Sequence, residues 1–188
     1  MPKTITFDRN QVIEDVMELF WQKGYNGTSM QDLVDVTGLN RSSFYNTFGD
    51  KFSLFKEALK HYQKRQDEML QGFVNGAQSP KGAIVALFKG ISSDITGGNQ
   101  KGCMLTSCTS ELAGQDERVR SFLSENMSHV VQLFSGLILA AQQAGEISAD
   151  KNADILALYL FSSLQGLRVT SILDKQLEEV VDQVLGSL

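Results

Sequence analysis

Apolar residues recur along this chain at helical rather than strand spacing. From Asp8 to Lys23, the residues Val12, Val16, Leu19 and Phe20 make one stripe, with Asp8 as the cap and Gln11 three residues on. Gly24 ends that helix, and Trp21, the single tryptophan, is expected to pack beside the stripe. A short second helix follows, with Thr28 as cap, Gln31 three residues later, and Met30, Leu33, Val34 and Val36 on its apolar side. Gly38 stands where a left-handed residue closes a helix, and Leu39 plugs the turn. Asn40 caps a third helix that turns Phe44 and Phe48 inward. Gly49-Asp50 ends it, and Asp50 opens a long helix to about Asn75. Its first part is apolar (Phe52, Leu54, Phe55, Leu59) and its second part polar.

The second half repeats the helical period in longer segments. Ser79-Pro80 is a start signal, and Ile84, Leu87, Phe88, Ile91 and Ile95 then face inward up to about Thr96. Residues 97–102 read as a loop, Cys103 to Ala113 as a short helix, and Arg118 to Ala144 as a long one ended by Gly145. Two more helices, Asp150 to about Leu173 and Lys175 to about Leu185, complete the chain. With two prolines and no alternating strand pattern, the fold class is all-α. The expected organisation is a helix-turn-helix domain at 1–58 (motif about 29–48), a connecting helix at 59–78, and a C-terminal domain at 79–188.

Composition narrows the function. Hydrophobic residues at 42% support a full core in a chain of 188 residues. No apolar run reaches about 18 residues, so no membrane span is expected. The N-terminus has no signal-peptide pattern, which points to a cytoplasmic protein. There is no phosphate-binding loop, HExxH, nucleophile elbow or carboxylate cluster, so no enzyme, catalytic residue, cofactor or metal site is expected. The net charge of −5 is unevenly placed: residues 1–65 hold nine Lys/Arg against eight acids, the remainder eight against fourteen.

The third helix carries the candidate chemistry. Arg41, Ser42, Ser43, Tyr45, Asn46 and Thr47 lie off its inward face. Arg41 can fork onto guanine, Asn46 can pair with adenine, and the small serines let the helix end approach a groove. Tyr45, Lys51 and Thr28 suit phosphate oxygens. Two helices joined by a short Gly-containing turn form the helix-turn-helix pattern, so double-stranded DNA is the expected partner. A plain three-helix bundle, serving as a protein–protein interaction module, is the alternative. The near-neutral head has to rely on local placement of Arg41, Lys51, Lys3 and Arg9, and on a dimer that doubles its contacts.

The pattern from Phe20 to Tyr25, then Thr28, Gly38, Phe44-Tyr45-x-x-Phe48 and Lys51, resembles the DNA-binding domain of TetR/AcrR-type regulators, over roughly Phe7 to Ala58. Ser42 and Asn46-Thr47 depart from that pattern, which bears on the operator sequence rather than the fold. The resemblance implies a homodimeric repressor on a palindromic operator, with a small-molecule effector bound among the C-terminal helices. Candidate lining residues are Phe88, Cys103, Met104, Ser107, Cys108, Phe122, Met127, Phe134, Tyr159, Gln165 and Arg168, each of which also suits an ordinary core. Arg168 could anchor an anion, pair with an acid such as Asp174, or reach solvent. The last two helices, with Tyr159, Leu164, Gly166, Leu167, Val180 and Val184, would pair with their twins, or else close the monomer core.

Cys103 and Cys108 are five apart, about 7.5 Å of rise and roughly 140° of rotation on one helix, so they cannot join in a disulfide there. Cys103 follows a Gly-rich loop at a helix start, where thiols become reactive. Some TetR-type regulators sense electrophiles or oxidants through a cysteine at this place. Cys103 is thus a candidate sensor, with buried packing as the alternative.

Overall fold

The computed structural model describes residues 8–97, 101–174 and 177–188, with the side chains of Ile95 and Thr96 excepted. Lys3, Gly98-Asn99-Gln100 and Lys175 lie outside the described residues. Every regular element among those described is a helix: α1 (Arg9–Gly27), α2 (Met30–Thr37), α3 (Arg41–Phe48), α4 (Lys51–Gly76), α5 (Pro80–Thr96), α6 (Met104–Leu112), α7 (Glu117–Gln143), α8 (Ala153–Thr170) and α9 (Glu178–Leu185). The chain forms two compact units, Met1–Arg65 and Gln66–Leu188. The division falls inside the unbroken α4.

In the N-terminal unit, Asp8 caps α1 by accepting from the Asn10 and Gln11 amides. Val12, Ile13, Val16, Met17 and Phe20 are its buried face, so the stripe is wider than the sequence period suggests and Leu19 sits at its edge. Phe20, Tyr25 and Phe55 form an aromatic centre, with Phe20 edge-on to Phe55 at 5.0 Å and Tyr25 to Phe55 at 4.7 Å. Trp21 packs edge-on against Tyr62, ring centres 5.1 Å apart. Gly24 breaks the α1 ladder (φ 72°, ψ 172°), and one further turn carries the chain to Gly27.

That break changes how α2 begins. The Thr28 hydroxyl donates to the Gly24 carbonyl at 2.7 Å, and the residue is only 1% exposed. With that hydroxyl engaged, Ser29 becomes the cap. Its Oγ accepts from the Asp32 amide at 3.1 Å, and the Asp32 carboxylate accepts from the Ser29 amide at 2.8 Å, a reciprocal capping box. Hydrogen bonds from Lys23 and then Ser29 hold the Asp32 carboxyl well below the usual carboxylate range. The expected Thr28/Gln31 pairing is therefore replaced by Ser29/Asp32. Gly38 ends α2 in the left-handed region (φ 66°), where a side chain would be strained, and Leu39 is buried in the turn as its hydropathy suggests. Asn40 caps α3 by accepting from the Ser43 amide at 2.9 Å.

In the C-terminal unit, α7 packs along α8 and against α5, α6 bridges α7 and α8, and α9 closes on α5. Ile84, Leu87, Phe88, Phe134, Ile138 and Leu160 lie at the centre, with the Phe88 and Phe134 rings 6.2 Å apart. Ser79 starts α5 by accepting from the Gly82 amide, with Pro80 as the first helical residue. Asp116 caps α7, and its carboxyl is held at about 2 chiefly by the Arg118 guanidinium. Asn152 caps α8 through the amides of Asp154 and Ile155.

Candidate functional site

The outward face of α3 follows from its inward one. Phe44 and Phe48 are buried one turn apart, which turns Ser42 and Asn46 to the opposite side, with Tyr45 on the flank and Arg41 at the open first turn. All four are exposed, Tyr45 at 50%. Their side chains make no hydrogen bond or ion pair among the described residues. Two donor-rich groups, a phenol and a small hydroxyl thus stand on one face with nothing to satisfy them but solvent or a ligand. Ser43 and Thr47 are half-buried beside this face, and the Thr47 hydroxyl turns back to the Ser43 carbonyl at 2.8 Å.

Three other cations or hydroxyls assigned to phosphate are used inside the head. Thr28, buried on Gly24, offers no side chain to a phosphate. The Lys51 ammonium donates to the Thr28 carbonyl at 2.5 Å and lies 4.4 Å from the centre of the Tyr25 ring, tying the start of α4 to the α1–α2 turn. Arg9 forks onto Glu57 at 2.7 and 2.9 Å and covers Phe48, so its charge is already paired. Sequence reasoning missed Ser29, which is exposed at the N-terminus of α2. The S-x-x-D spacing was its signal.

The residues expected to line an effector pocket fall into separate groups. Phe88, Met104 and Phe134 are buried in packed core, Ser107 and Tyr159 are exposed, and Phe122 is half-buried. Helical periodicity cannot separate a core wall from a cavity wall, because both are apolar. The cavity that does open among α6, α7 and α8 measures about 330 Å³ and takes in Met127 and Gln165 from the expected set. Its other walls include Thr106, Asn126 and Phe161.

Cys103 immediately precedes α6 and is buried. The Arg168 guanidinium donates to its Sγ at 3.2 Å and, through the other terminal nitrogen, to the side-chain Oε1 of Gln66 at 2.8 Å. Arg168 therefore bridges α8, the start of α6 and α4. Cys108 is buried too, and burial, with Glu111 and Cys103 nearby, pushes its thiol up to about 12. Neither cysteine is in a disulfide.

The surface expected to pair with a second copy also divides. Leu164, Leu167 and Val184 belong to the unit's own core rather than to an outer face. Tyr159, Gly166 and Val180 are exposed, and α8 shows Ile155 (66% exposed), Leu158 and Val169 along with them. Among the described residues no helix is long and apolar enough to cross a membrane, and no group of His, Cys, Asp and Glu is placed to hold a metal ion.

Residues 13–58 match the model of bacterial regulatory proteins of the tetR family, and residues 80–184 match the tetracyclin repressor-like C-terminal domain. The chain belongs to the TetR family. Relatives of this TetR-family chain align over nearly its whole length. It is 29% identical to the transcriptional regulator YezE of Bacillus subtilis, over 100% of both chains. It is 28% identical to the transcriptional repressor ComR of Escherichia coli, over 96% of this chain and 87% of that one. The solved structure of a cysteine mutant of the TetR-family regulator CifR, complexed with 26-bp operator DNA, superposes with a TM-score of 0.83 at 27% identity, covering 97% of each chain. The chain is accordingly a DNA-binding transcriptional regulator, a class that does its work by binding rather than by catalysis.

Proposed function

We propose that this TetR-family regulator is a homodimeric repressor that reads a palindromic operator through α3 of each copy. Release would follow when a small molecule enters the C-terminal unit or when Cys103 is modified. The observation that carries the reading is the unsatisfied face of Arg41, Ser42, Tyr45 and Asn46 on a helix held by two capped turns. Arg41 and Asn46 are the base-reading pair, with Arg41 suited to guanine and Asn46 to adenine. Tyr45, Ser43 and the amides at the exposed start of α2 serve the phosphates. Lys51 acts as a tie that sets the position of α2 and α3 rather than as a main phosphate contact. ComR is named a repressor and CifR was solved on its operator, which supports both halves of the assignment.

Dimerisation is part of the same reading. Ile155, Leu158, Tyr159 and Val169 form an exposed apolar stripe along α8, with Ser162 and Gly166 letting a second helix come close. A head that is almost neutral gains affinity by doubling its contacts on two half-sites.

The signal reaches the head along α4. Gln66 lies on α4 and is held by Arg168, which is held in turn by Cys103. The thiolate is the form of a cysteine that attacks electrophiles, and the Arg168 guanidinium already lies against this sulfur. With iodoacetamide the thiolate, its proton already given to solvent, forms a sulfur–carbon bond at Sγ as the carbon–iodine bond breaks and iodide leaves, and Arg168 loses its partner. A non-covalent effector shifts the same balance only through its different affinity for the two states.

A gel-retardation assay with DNA flanking the protein's own gene tests the proposal. Wild type should retard the fragment at low salt, and Arg41→Ala should cost about 1–3 kcal/mol of binding. Unchanged retardation by the variant would remove α3 as the reading helix. Cys103→Ser should stay bound when iodoacetamide releases the wild type. Equal release would remove the cysteine route.

A further inference from the structure

Gly90 lies in the middle of α5 with a helical backbone and no turn to make. Its neighbours along the helix, Leu87, Phe88 and Ile91, are core. Alanine would favour the helix, so helix propensity does not account for a glycine there. A neighbouring helix does. A Cβ built on Gly90 would stand 2.3 Å from Cζ and 2.7 Å from Cε1 of Phe73 on α4, well inside the roughly 3.5–4.0 Å at which carbon atoms meet. The Phe73 ring therefore rests on the α5 backbone, in a notch that a glycine leaves open. Phe73 is half-buried and also packs against the core, so the ring can turn aside only by giving up that packing.

Phe73 is one of three residues on one face of α4, at i, i+4 and i+7, that fasten this helix in the C-terminal unit. Gln66 accepts from Arg168 of α8 at 2.8 Å, Leu70 is core, and Phe73 fills the notch. The same unbroken helix packs Phe55 against Tyr25 and Tyr62 against Trp21 in the head. A hydrogen bond between two long side chains can re-aim, whereas a ring against backbone cannot. Phe73 on Gly90 is thus the rigid point of the seat.

We propose that Gly90 is a positioning residue for DNA binding. The notch it leaves for Phe73 fixes the line of α4, and with it the half-site spacing that the two heads of a dimer can read. Clearing a Cβ asks Phe73 to move by about 1.5 Å. Taken up as a tilt about the Gln66–Arg168 tie, about 10 Å along the helix, this moves Lys51, about 22 Å beyond the tie, by about 3 Å. One base-pair step is about 3.4 Å, so the two heads together shift by about one to two base pairs. The inference rests on the operator reading above for its effect on DNA, but not for the notch itself.

The test is a cycle of full-length variants: Gly90→Ala, Phe73→Leu and the two together. Leucine ends short of both ring atoms that a Cβ would strike. In thermal unfolding followed by circular dichroism, Gly90→Ala should lower the midpoint, where an unoccupied helical site would raise it. Adding Phe73→Leu should recover most of that loss. Gel retardation then uses duplexes carrying the half-sites protected upstream of the protein's own gene, at native spacing or moved one or two base pairs closer or further apart. Gly90→Ala should bind the native spacing about tenfold more weakly and prefer one changed by about one or two base pairs, and the double variant should return to the native spacing. A glycine needed only for stability would weaken every spacing alike. A midpoint unchanged or raised by Gly90→Ala would overturn the notch. An unchanged spacing preference, or a double variant no better than Gly90→Ala, would overturn the positioning role. If wild type bound no spacing while the unfolding cycle held, the operator reading would fall, the positioning role with it, and the notch alone would stand.

Discussion

Replacing Lys51 by Met keeps the aliphatic stem and removes the ammonium that spans the Thr28 carbonyl at 2.5 Å and the Tyr25 ring at 4.4 Å. A hydrogen bond from a charged donor contributes about 1.5–3 kcal/mol. An exposed cation–π contact adds about 0.5–1 kcal/mol. Lys51 is half-buried, so the lower part of each range applies, and the head should lose about 2 kcal/mol. Trp21 is the only tryptophan and packs on Tyr62 within the N-terminal unit, so its fluorescence follows the head alone. For a unit this small the urea slope is about 1 kcal/mol per M, which places the midpoint of Lys51→Met about 1.5–2 M below wild type. The same variant should keep the salt slope of DNA binding, because the ammonium is occupied within the protein. An unchanged urea midpoint together with a salt slope reduced by about one would show the opposite, that Lys51 is a phosphate ligand and not a tie.

Other consequences are equally specific. Ser29→Ala should cost the head about 1 kcal/mol by the same fluorescence assay, since Ser29 rather than Thr28 caps α2; no loss would place the cap elsewhere. In alkylation followed by mass spectrometry between pH 7 and 9, Cys108 should remain unmodified in the folded protein, because burial holds its thiol at about 12 and it stays protonated throughout that window. If the cysteine route holds, labelling should fall on Cys103, and Arg168→Met should change its rate because the guanidinium lies against that sulfur; labelling of Cys108 at the same rate would contradict that route. Ile155→Asp should yield a folded monomer by light scattering, whereas Leu164→Asp should unfold the C-terminal unit, since the first side chain is exposed and the second is core.

The helical fold and the first four helices were legible because caps, period and aromatic spacing all agree there. Leu39 in the turn, Asn40 at the cap and Phe44 with Phe48 inward could each be placed from local chemistry, and their burial turns α3 the way the sequence suggests. What failed depended on partners distant in sequence. Thr28 and Ser29 are adjacent hydroxyls that both fit a capping pattern, and only the Gly24 carbonyl, exposed by a break in α1, decides between them. Arg9 reads as a free cation until Glu57, forty-eight residues on, is seen to hold it. In the C-terminal unit α8 is apolar on most sides, so its period does not say which stripe meets its own core. Leu164 and Leu167 turned inward, and Ile155 and Leu158 outward. The cavity was missed for a related reason. Its distinguishing residues are polar ones, Thr106 and Asn126, which in a helix read as ordinary surface.

The most direct measurement of the central claim is a footprint of the protein on DNA upstream of its own gene. Two α3 helices carried by a symmetric dimer should protect two half-sites on one face of the duplex, centred about 10 bp, or a small multiple of that, apart. Protection should vanish from both together with Arg41→Ala. A single protected patch, or protection that survives Arg41→Ala, would contradict the account.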